Sequence, residues 1–476
     1  MKKISILFVA LIGLFSASCD KDYETVNIDP NNPIAVPSHL LLGNIIRINQ
    51  NVIYGMQQGG DMGMCWSQQV SKVQYNDEER YIPRRASIDV IWNTLYASVI
   101  SDAKSMYTLA EAEGNTNIMG ISLVLQANAF QILTDLYGPI PYTESCNPLI
   151  LKPAYDSQEV VYDGILDLLT QADAMLATGS GDVPASSDLV YSGNTTKWRK
   201  LANSLKLKAL MRISDVRTGV GAEVQALVTA GNLMTSTGDS AQLTYLAAQP
   251  DANPIYETVV FGARFEYKVS SVMINMLQSA SDPRLEVFAK VNSAGVYVGN
   301  VPGQENPGSY GAFSSLGTLY QSATLPGVIL SNAQVQFLLA EASVKGYITG
   351  DATTYLVKGI QSNFDFNGVS GAASAAYIAP IEAGFSSASI ALQKELIATE
   401  SWVALFGQGF EAWTEYRRTG FPVLSAVVNA APGITAVPTR LYYPSTEIAL
   451  NRASYTAAIA TITGGDTLTA PLWWMN

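Results

Sequence analysis

The chain has 476 residues, 48% hydrophobic and only 14% charged, with a formal net charge of −12. An acidic chain gains nothing from a phosphate backbone, so nucleic acid is not an expected partner. Three cysteines (Cys19, Cys65 and Cys146) exclude a disulfide-dense scaffold, and the one histidine, His39, leaves no nucleophilic triad to assemble.

At the N-terminus, Lys2 and Lys3 precede an apolar run from Ile4 to Phe15, and Ser16, Ala17 and Ser18 then stand before Cys19. That order is the layout of a secretory signal. The run is too short to cross a bilayer, which needs about 20 residues, and no later stretch is long enough either. Small residues followed by cysteine resemble a bacterial lipobox, in which Cys19 is acylated and becomes the new N-terminus. Ser16 departs from the leucine commoner at that position. The alternative is an ordinary cleaved signal with an incidental cysteine. Two or three acyl chains, at roughly 0.8 kcal/mol per buried methylene, anchor a protein stably. The expected organisation is 1–18 signal peptide, 19–36 flexible tether rich in Asn and Pro, and 37–476 one globular domain. With Cys19 lipidated, Cys65 and Cys146 are left either to form one disulfide or to stay as buried thiols.

Helical periodicity follows the tether. Leu40 to Met56 is apolar at three- and four-residue spacing, with His39 at its start as a surface or capping residue. Ile88 to Glu111 and Ile118 to Tyr137 read as two long helices separated by a turn at Gly114–Asn117. Asp156 and Glu159 fit a capping box, after which Val161, Ile165, Leu168, Ala172 and Leu176 line one helix face. A Gly/Ser/Pro/Asp-rich loop from Thr178 to Asp188 ends it, and Trp198, Leu201, Leu205 and Ile213 mark the next stripe. Gln334 to Lys345 pairs with Thr353 to Asp365, and Ser389 to Leu405 with Gly409 to Arg417. Paired helices with short turns suggest tetratricopeptide-like hairpins, without a strict period of about 34 residues. The fold class is therefore all-α. Between the helices, Asp251 to Glu266, Val291 to Pro326 and Asn429 to Tyr443 are long, irregular and rich in Gly, Pro, Asn and Tyr. Their aromatic content argues for order and a functional role rather than disorder.

Few residues offer chemistry. Glu411 and Glu415 could be an acid–base pair, which needs roughly 5 to 9.5 Å across a substrate. Arg417 and Arg418 beside them favour a structural ion network, because cations lower carboxylate pKa values and spoil a general acid. No metal-ligand spacing appears, and the sequence implies no cofactor. Trp92, Trp198, Trp402 and Trp413 fall on helix faces and read as packing.

Several stretches carry a resemblance. Gln131-Ile-Leu-Thr-Asp-Leu-Tyr-Gly-Pro-Ile-Pro-Tyr142, Trp198-Arg-Lys-Leu-Ala-Asn-Ser-Leu205, Ser281-Asp-Pro-Arg284, Val335-Gln-Phe-Leu-Leu-Ala-Glu-Ala342, Gly407-Gln-Gly-Phe-Glu-Ala-Trp-Thr-Glu-Tyr-Arg-Arg-Thr-Gly420 and Arg440-Leu-Tyr-Tyr-Pro444 occur in that order. With the lipobox and the closing Trp473-Trp474, they resemble the SusD/RagB family of nutrient-binding outer-membrane lipoproteins. The resemblance implies a SusD-like core of four tetratricopeptide-like hairpins with long irregular loops packed on them. It implies a SusC-like TonB-dependent transporter barrel as partner, a glycan or peptide ligand, no enzymatic activity, and outward display on the outer membrane, for which Cys19-Asp20-Lys21-Asp22 resembles the export signal. Sugar C–H faces stack on flat rings while their hydroxyls take amide and acid partners. The expected ligand residues are therefore Trp66, Tyr75 and Tyr81, among Gln68, Gln69, Asn76 and Asp77, together with Tyr310 and Tyr320; both segments match variable regions that form ligand sites in the family. A helical glycoside hydrolase or lyase, and a scaffold or lid without ligand, are the alternatives.

Overall fold

The computed structural model describes residues 36–475; the signal segment, Cys19 and the tether up to residue 35 lie outside the described residues. Helix α1 (His39–Tyr54) comes first. It ends two residues before the expected Met56, which instead begins a π-helical stretch, Met56–Met64. Helix α2 runs over 85–113, with a π-helical turn, Leu95–Ile100, between its α-helical parts. Gly114, at φ +69°, reverses the chain. Asn115 Oδ1 then accepts from the Ile118 N–H at 3.0 Å and starts α3 (Thr116–Tyr137). All but two of the 22 residues of α3 are buried. A helix apolar on every side has to be covered on every side, and α2, α1 and the second hairpin do so.

That hairpin is α4 (Gln158–Ala177) and α5 (Thr195–Arg212), followed by α6 (Val220–Ala230). The expected capping box at Asp156 and Glu159 is not what starts α4. Ser157 is the cap, its side chain accepting from the Val160 N–H at 3.4 Å. Asp156 accepts instead from the backbone N–H groups of Tyr142 (3.1 Å) and Thr143 (2.8 Å), so it fixes the preceding loop. Further on, α7 (Ser271–Ser279) precedes the third hairpin, α8 (Asn332–Val344) and α9 (Ala352–Asn367). Helix α10 (Gly371–Phe385) leads into the fourth, α11 (Ile390–Ala404) and α12 (Gly409–Thr419). Two short antiparallel pairs complete the fold: β1 (Val70–Lys72) with β3 (Tyr267–Val269), and β2 (Ala241–Leu243) with β4 (Gly327–Leu330).

One large hydrophobic core joins the first two hairpins, α8, α12 and the loops, and a smaller one lies among α8, α9, α10 and α11 around Phe337, Ile360, Phe364 and Ile397. Buried arginines from the sequence motifs tie these parts together. Arg212 reaches Glu415 (2.5 Å), Glu411 (2.7 Å) and Asp135 (3.4 Å), linking α5, α12 and α3. Arg418 pairs with Glu341 on α8 at 2.6 Å. Arg417 and Arg440 donate to the carbonyls of Asp135 (2.7 Å) and Tyr137 (2.8 Å), satisfying groups that the C-terminus of α3 leaves open. In the smaller core, Arg284 holds Asp282 (2.6 Å) and Glu400 (2.8 Å). The two remaining thiols are free, Cys65 buried and Cys146 exposed. The disulfide is thus absent, and of the two thiols only Cys65 lies inside.

Candidate ligand-binding site

The five aromatic residues singled out from the sequence separate into two groups. Trp66 is fully buried; its Nε1–H donates to the Glu78 carbonyl at 2.8 Å and its ring stands edge-on to Trp413 and Tyr81. Tyr81 is buried, with its hydroxyl accepting from the Val427 N–H at 3.1 Å. Tyr320 is buried against Phe288 and Phe406 and donates to Asn367 Oδ1 at 2.9 Å. These three offer no free ring face; they hold the irregular segments onto the hairpins. Tyr75, by contrast, is 64% exposed, and Tyr310 is half-buried on a short turn, Tyr310–Ala312. The amides near Trp66 are committed as well. Gln68 donates to the Ser425 carbonyl at 2.6 Å, Gln69 to the Trp402 carbonyl at 2.7 Å, and Asn76 to the Gln304 carbonyl at 2.9 Å.

Why Tyr75 and Tyr310 share one patch follows from the strand pair beneath them. β1 and β3 place Lys72 opposite Tyr267. Lys72 Nζ is buried against Asp61 (3.0 Å) and Glu78 (3.3 Å), and Tyr267 donates to Asp61 at 2.7 Å. Lys72 N–H also donates to Glu79 at 2.9 Å. This buried charge cluster pins both ends of the 73–81 loop. Val73 still bonds to the Glu266 carbonyl (2.9 Å), after which Tyr75, at φ +53°, turns outward. A non-glycine residue in that left-handed region costs roughly 1 kcal/mol or more, which the pinned loop ends hold in place. Tyr310 arrives from the long loop after α7 and donates from its hydroxyl to Gln74 Oε1.

Each ring has a cation at its side. Arg264 Cζ lies 5.6 Å from the Tyr75 centroid and is oriented by Glu266 (Nε–Oε1 2.6 Å). Lys268 Nζ lies 5.9 Å from the Tyr310 centroid. Burial, with the negative charge of Glu266 next, pushes the Tyr310 phenol up, so it stays a neutral donor. Burial lowers Lys268, opposed by Glu266. Phe261 and Phe265 are exposed on the segment that leads into β3. The patch can therefore stack a ring-shaped ligand on tyrosine and donate to it from a guanidinium and an ammonium, while the Tyr310 oxygen, whose proton goes to Gln74, is left to accept. Gln74, Arg264 and Lys268 were missed from sequence. The signal that could have found Arg264 and Lys268 is the alternation of charged and aromatic residues in Arg264-Phe265-Glu266-Tyr267-Lys268.

Other hollows serve less well. A cavity of about 40 Å³ between α1, α3 and α12 is lined by Gln50, Gln131, Lys208 and Glu411; it has room for waters, not for an oligomer. A hollow of about 390 Å³ beside α10 has walls of Ala280, Pro283, Pro380 and Leu396, and its Tyr377 hydroxyl is already bonded to Glu400 (2.5 Å). Glu411 and Glu415 share Arg212. For Glu411, burial acts upward, but Lys208 and Arg212 outweigh it and hold the carboxyl at about 2, which removes it as a general acid. Among the described residues, no helix is long and apolar enough to cross a membrane, and no group of three His, Cys, Asp or Glu is placed to hold a metal ion.

Comparison with known proteins places this geometry in context. The SusD-like family profile, described as "Starch-binding associating with outer membrane", matches residues 30–444. No curated protein matches the chain. Among solved structures, a chitin-binding protein is 25% identical, with a TM-score of 0.79 over 92% of this chain and 99% of its own. A SusD homolog from Bacteroides fragilis is 26% identical, with a TM-score of 0.77 over 92% and 99%. A chitin-binding SusD homolog from Flavobacterium johnsoniae, 24% identical with a TM-score of 0.81 over 91% and 98%, supports the fold alone.

Proposed function

The chain belongs to the SusD-like family, and on that premise we propose that it is a lipid-anchored surface protein, acylated at Cys19, that binds a nutrient glycan and delivers it to a SusC-like TonB-dependent transporter. The observation that carries the reading is the pair of exposed Tyr75 and half-buried Tyr310, each with a cation at its ring, on a pinned two-strand base. Sugar rings stack their C–H faces on such tyrosines, Arg264 and Lys268 supply the orienting donors, and the Tyr310 oxygen can accept. The protein performs no reaction. Its one carboxylate pair of note is locked in an arginine network, and its role is capture, with the committed step left to the barrel. A modest affinity suits that division, because a tightly held ligand would not pass on.

Calorimetric titration of the soluble chain, begun after Cys19, against neutral and acidic oligosaccharides and oligopeptides tests the ligand class. Saturable heat with a glycan series supports the reading; heat with peptides alone contradicts it. Partition of the Cys19→Ala protein out of the membrane fraction tests the anchor, and retention there would contradict it.

A further inference from the structure

We propose that the Tyr75–Tyr310 site selects glycans bearing carboxylates, that is oligouronates, with Lys268 as the residue that receives the acid. The inference rests on the glycan reading above and narrows it. Its basis is charge accounting around the β1–β3 pair. Successive strand residues face opposite sides. Tyr267 points to the buried acids, where its hydroxyl meets Asp61. Lys268 is the next residue and faces the other way, toward Tyr310. It sits between Ser71 on β1 and Ser315 on the long loop, and only 5% of it is exposed.

Most acids nearby are already engaged: Glu79 accepts from the Lys72 backbone N–H, and of the acids on the 73–81 loop only Asp77 stands exposed. Asp61 and Glu78 hold Lys72, and Glu78 also holds Arg84. Glu266, on the same side as Lys268, is engaged by Arg264 at 2.5 Å. Glu305 pairs with Arg80. Among the described residues, no carboxylate stands within 4.0 Å of Lys268 Nζ. Two cations, Arg264 and Lys268, thus face one carboxylate on this patch, although the chain as a whole carries −12. A nearly buried cation whose acidic neighbour, Glu266, is already bonded to a second cation is costly unless something supplies further negative charge. A hexuronate does so without giving up stacking. Its ring lies on a tyrosine face while its carboxylate projects from the ring edge. Neutral sugars would leave Lys268 with a weaker hydroxyl partner. The surrounding negative charge of the chain repels polyanions elsewhere, so binding would be confined to this patch.

The test titrates oligogalacturonates and oligomannuronates, and the same oligomers after chemical reduction of their carboxyl groups, into the soluble chain. The uronates are expected to bind at least tenfold more tightly than their reduced counterparts, and less tightly as salt rises from about 0.05 to 0.5 M. Lys268→Gln should weaken uronate binding roughly ten- to a hundredfold, the range for a charge-assisted hydrogen bond, and weaken the reduced series, which offers Lys268 only a hydroxyl, by less than about fivefold. Lys268→Arg should restore most of it. Salt dependence on the unaltered chain keeps the test independent of how the variants fold. Equal binding of both series, abolished by Tyr310→Ala, would overturn the inference and leave the glycan site standing. Binding confined to neutral glycans would do the same. Silence toward every glycan, or heat with acidic peptides alone, would overturn both.

Discussion

Replacing Arg212 by methionine removes the one cation shared by Glu411, Glu415 and Asp135. Arg212 is wholly buried, so the methionine roughly keeps the volume, Asp135 loses its ion-pair partner, and Glu411 and Glu415 are left with Lys208 and Arg418 alone. Breaking a buried ion pair from one side costs about 3–5 kcal/mol. Unfolding entropy of roughly 2.1 cal/mol/K per residue over about 440 residues gives about 0.9 kcal/mol/K, so Tm should fall by about 3–6 °C. The pH dependence distinguishes a charge effect from lost packing. Glu411 is held at about 2, below its ordinary 4.5, by Lys208 and Arg212 against burial. A depressed carboxylate contributes stability that is present above 4.5 and is lost as pH falls through about 2. In the variant, protonation relieves the repulsion, and Asp135, already pushed up by burial, takes its proton first. Calorimetric scans of both proteins should therefore show the widest gap at pH 7 and a narrower one at pH 3.5. A Tm drop under about 1 °C, or an equal drop at both pH values, would refute the reasoning.

Other expectations follow from buried groups. Trp66→Ala should cost about 3–5 kcal/mol by opening a cavity beside Trp413 and Tyr81, read as a fall in denaturant midpoint, whereas Tyr75→Ala should leave that midpoint unchanged. Glu79 is pushed up to about 7 by burial, against hydrogen bonds from Ser71 and the Lys72 and Gly303 backbone. Its raised pKa gives stability that is present below 4.5 and lost as pH rises through 7. Glu79→Gln should therefore gain in Tm relative to the parent between pH 5 and pH 8; a constant difference would count against it. Iodoacetamide on the native chain should label exposed Cys146 and spare buried Cys65, whose thiol burial raises well above its ordinary value, with mass spectrometry counting the adducts.

The hairpins were legible because their apolar spacing is long and regular. Helix α3, expected from Ile118 to Tyr137, runs Thr116–Tyr137, and α12 begins at Gly409 as expected. The ion network around Glu411 was legible too, since Arg417 and Arg418 stand beside the two glutamates on one short helix and favour pairing over acid–base work. The capping residue was off by one because Asp156 and Ser157 are both good caps, and only the loop at Tyr142 decides between them. The aromatic site was half legible. Trp66, Tyr81 and Tyr320 lie in segments without periodicity, and such segments normally run over the surface. Here they are packed inside. The Met56–Met64 stretch presses its backbone against α12, and a side chain on Gly63 would stand 2.5 Å from the Gly409 carbonyl carbon. Glycine at 63 and 409 makes that approach feasible, which local sequence does not announce. Tyr75 and Tyr310 meet through a strand pairing between β1 and β3, nearly 200 residues apart, and no local signal encodes such pairings.

In the function proposed, Tyr75 and Tyr310 hold the glycan. The most direct measurement is calorimetric titration of the Tyr75→Ala/Tyr310→Ala protein with whichever oligosaccharide binds the parent most tightly, beside a thermal scan of each. Each lost stacking contact is worth roughly 1 kcal/mol or more, so the account predicts at least a tenfold weaker Kd with Tm unchanged. An unchanged Kd in the folded double variant would contradict it and move the ligand elsewhere on the molecule.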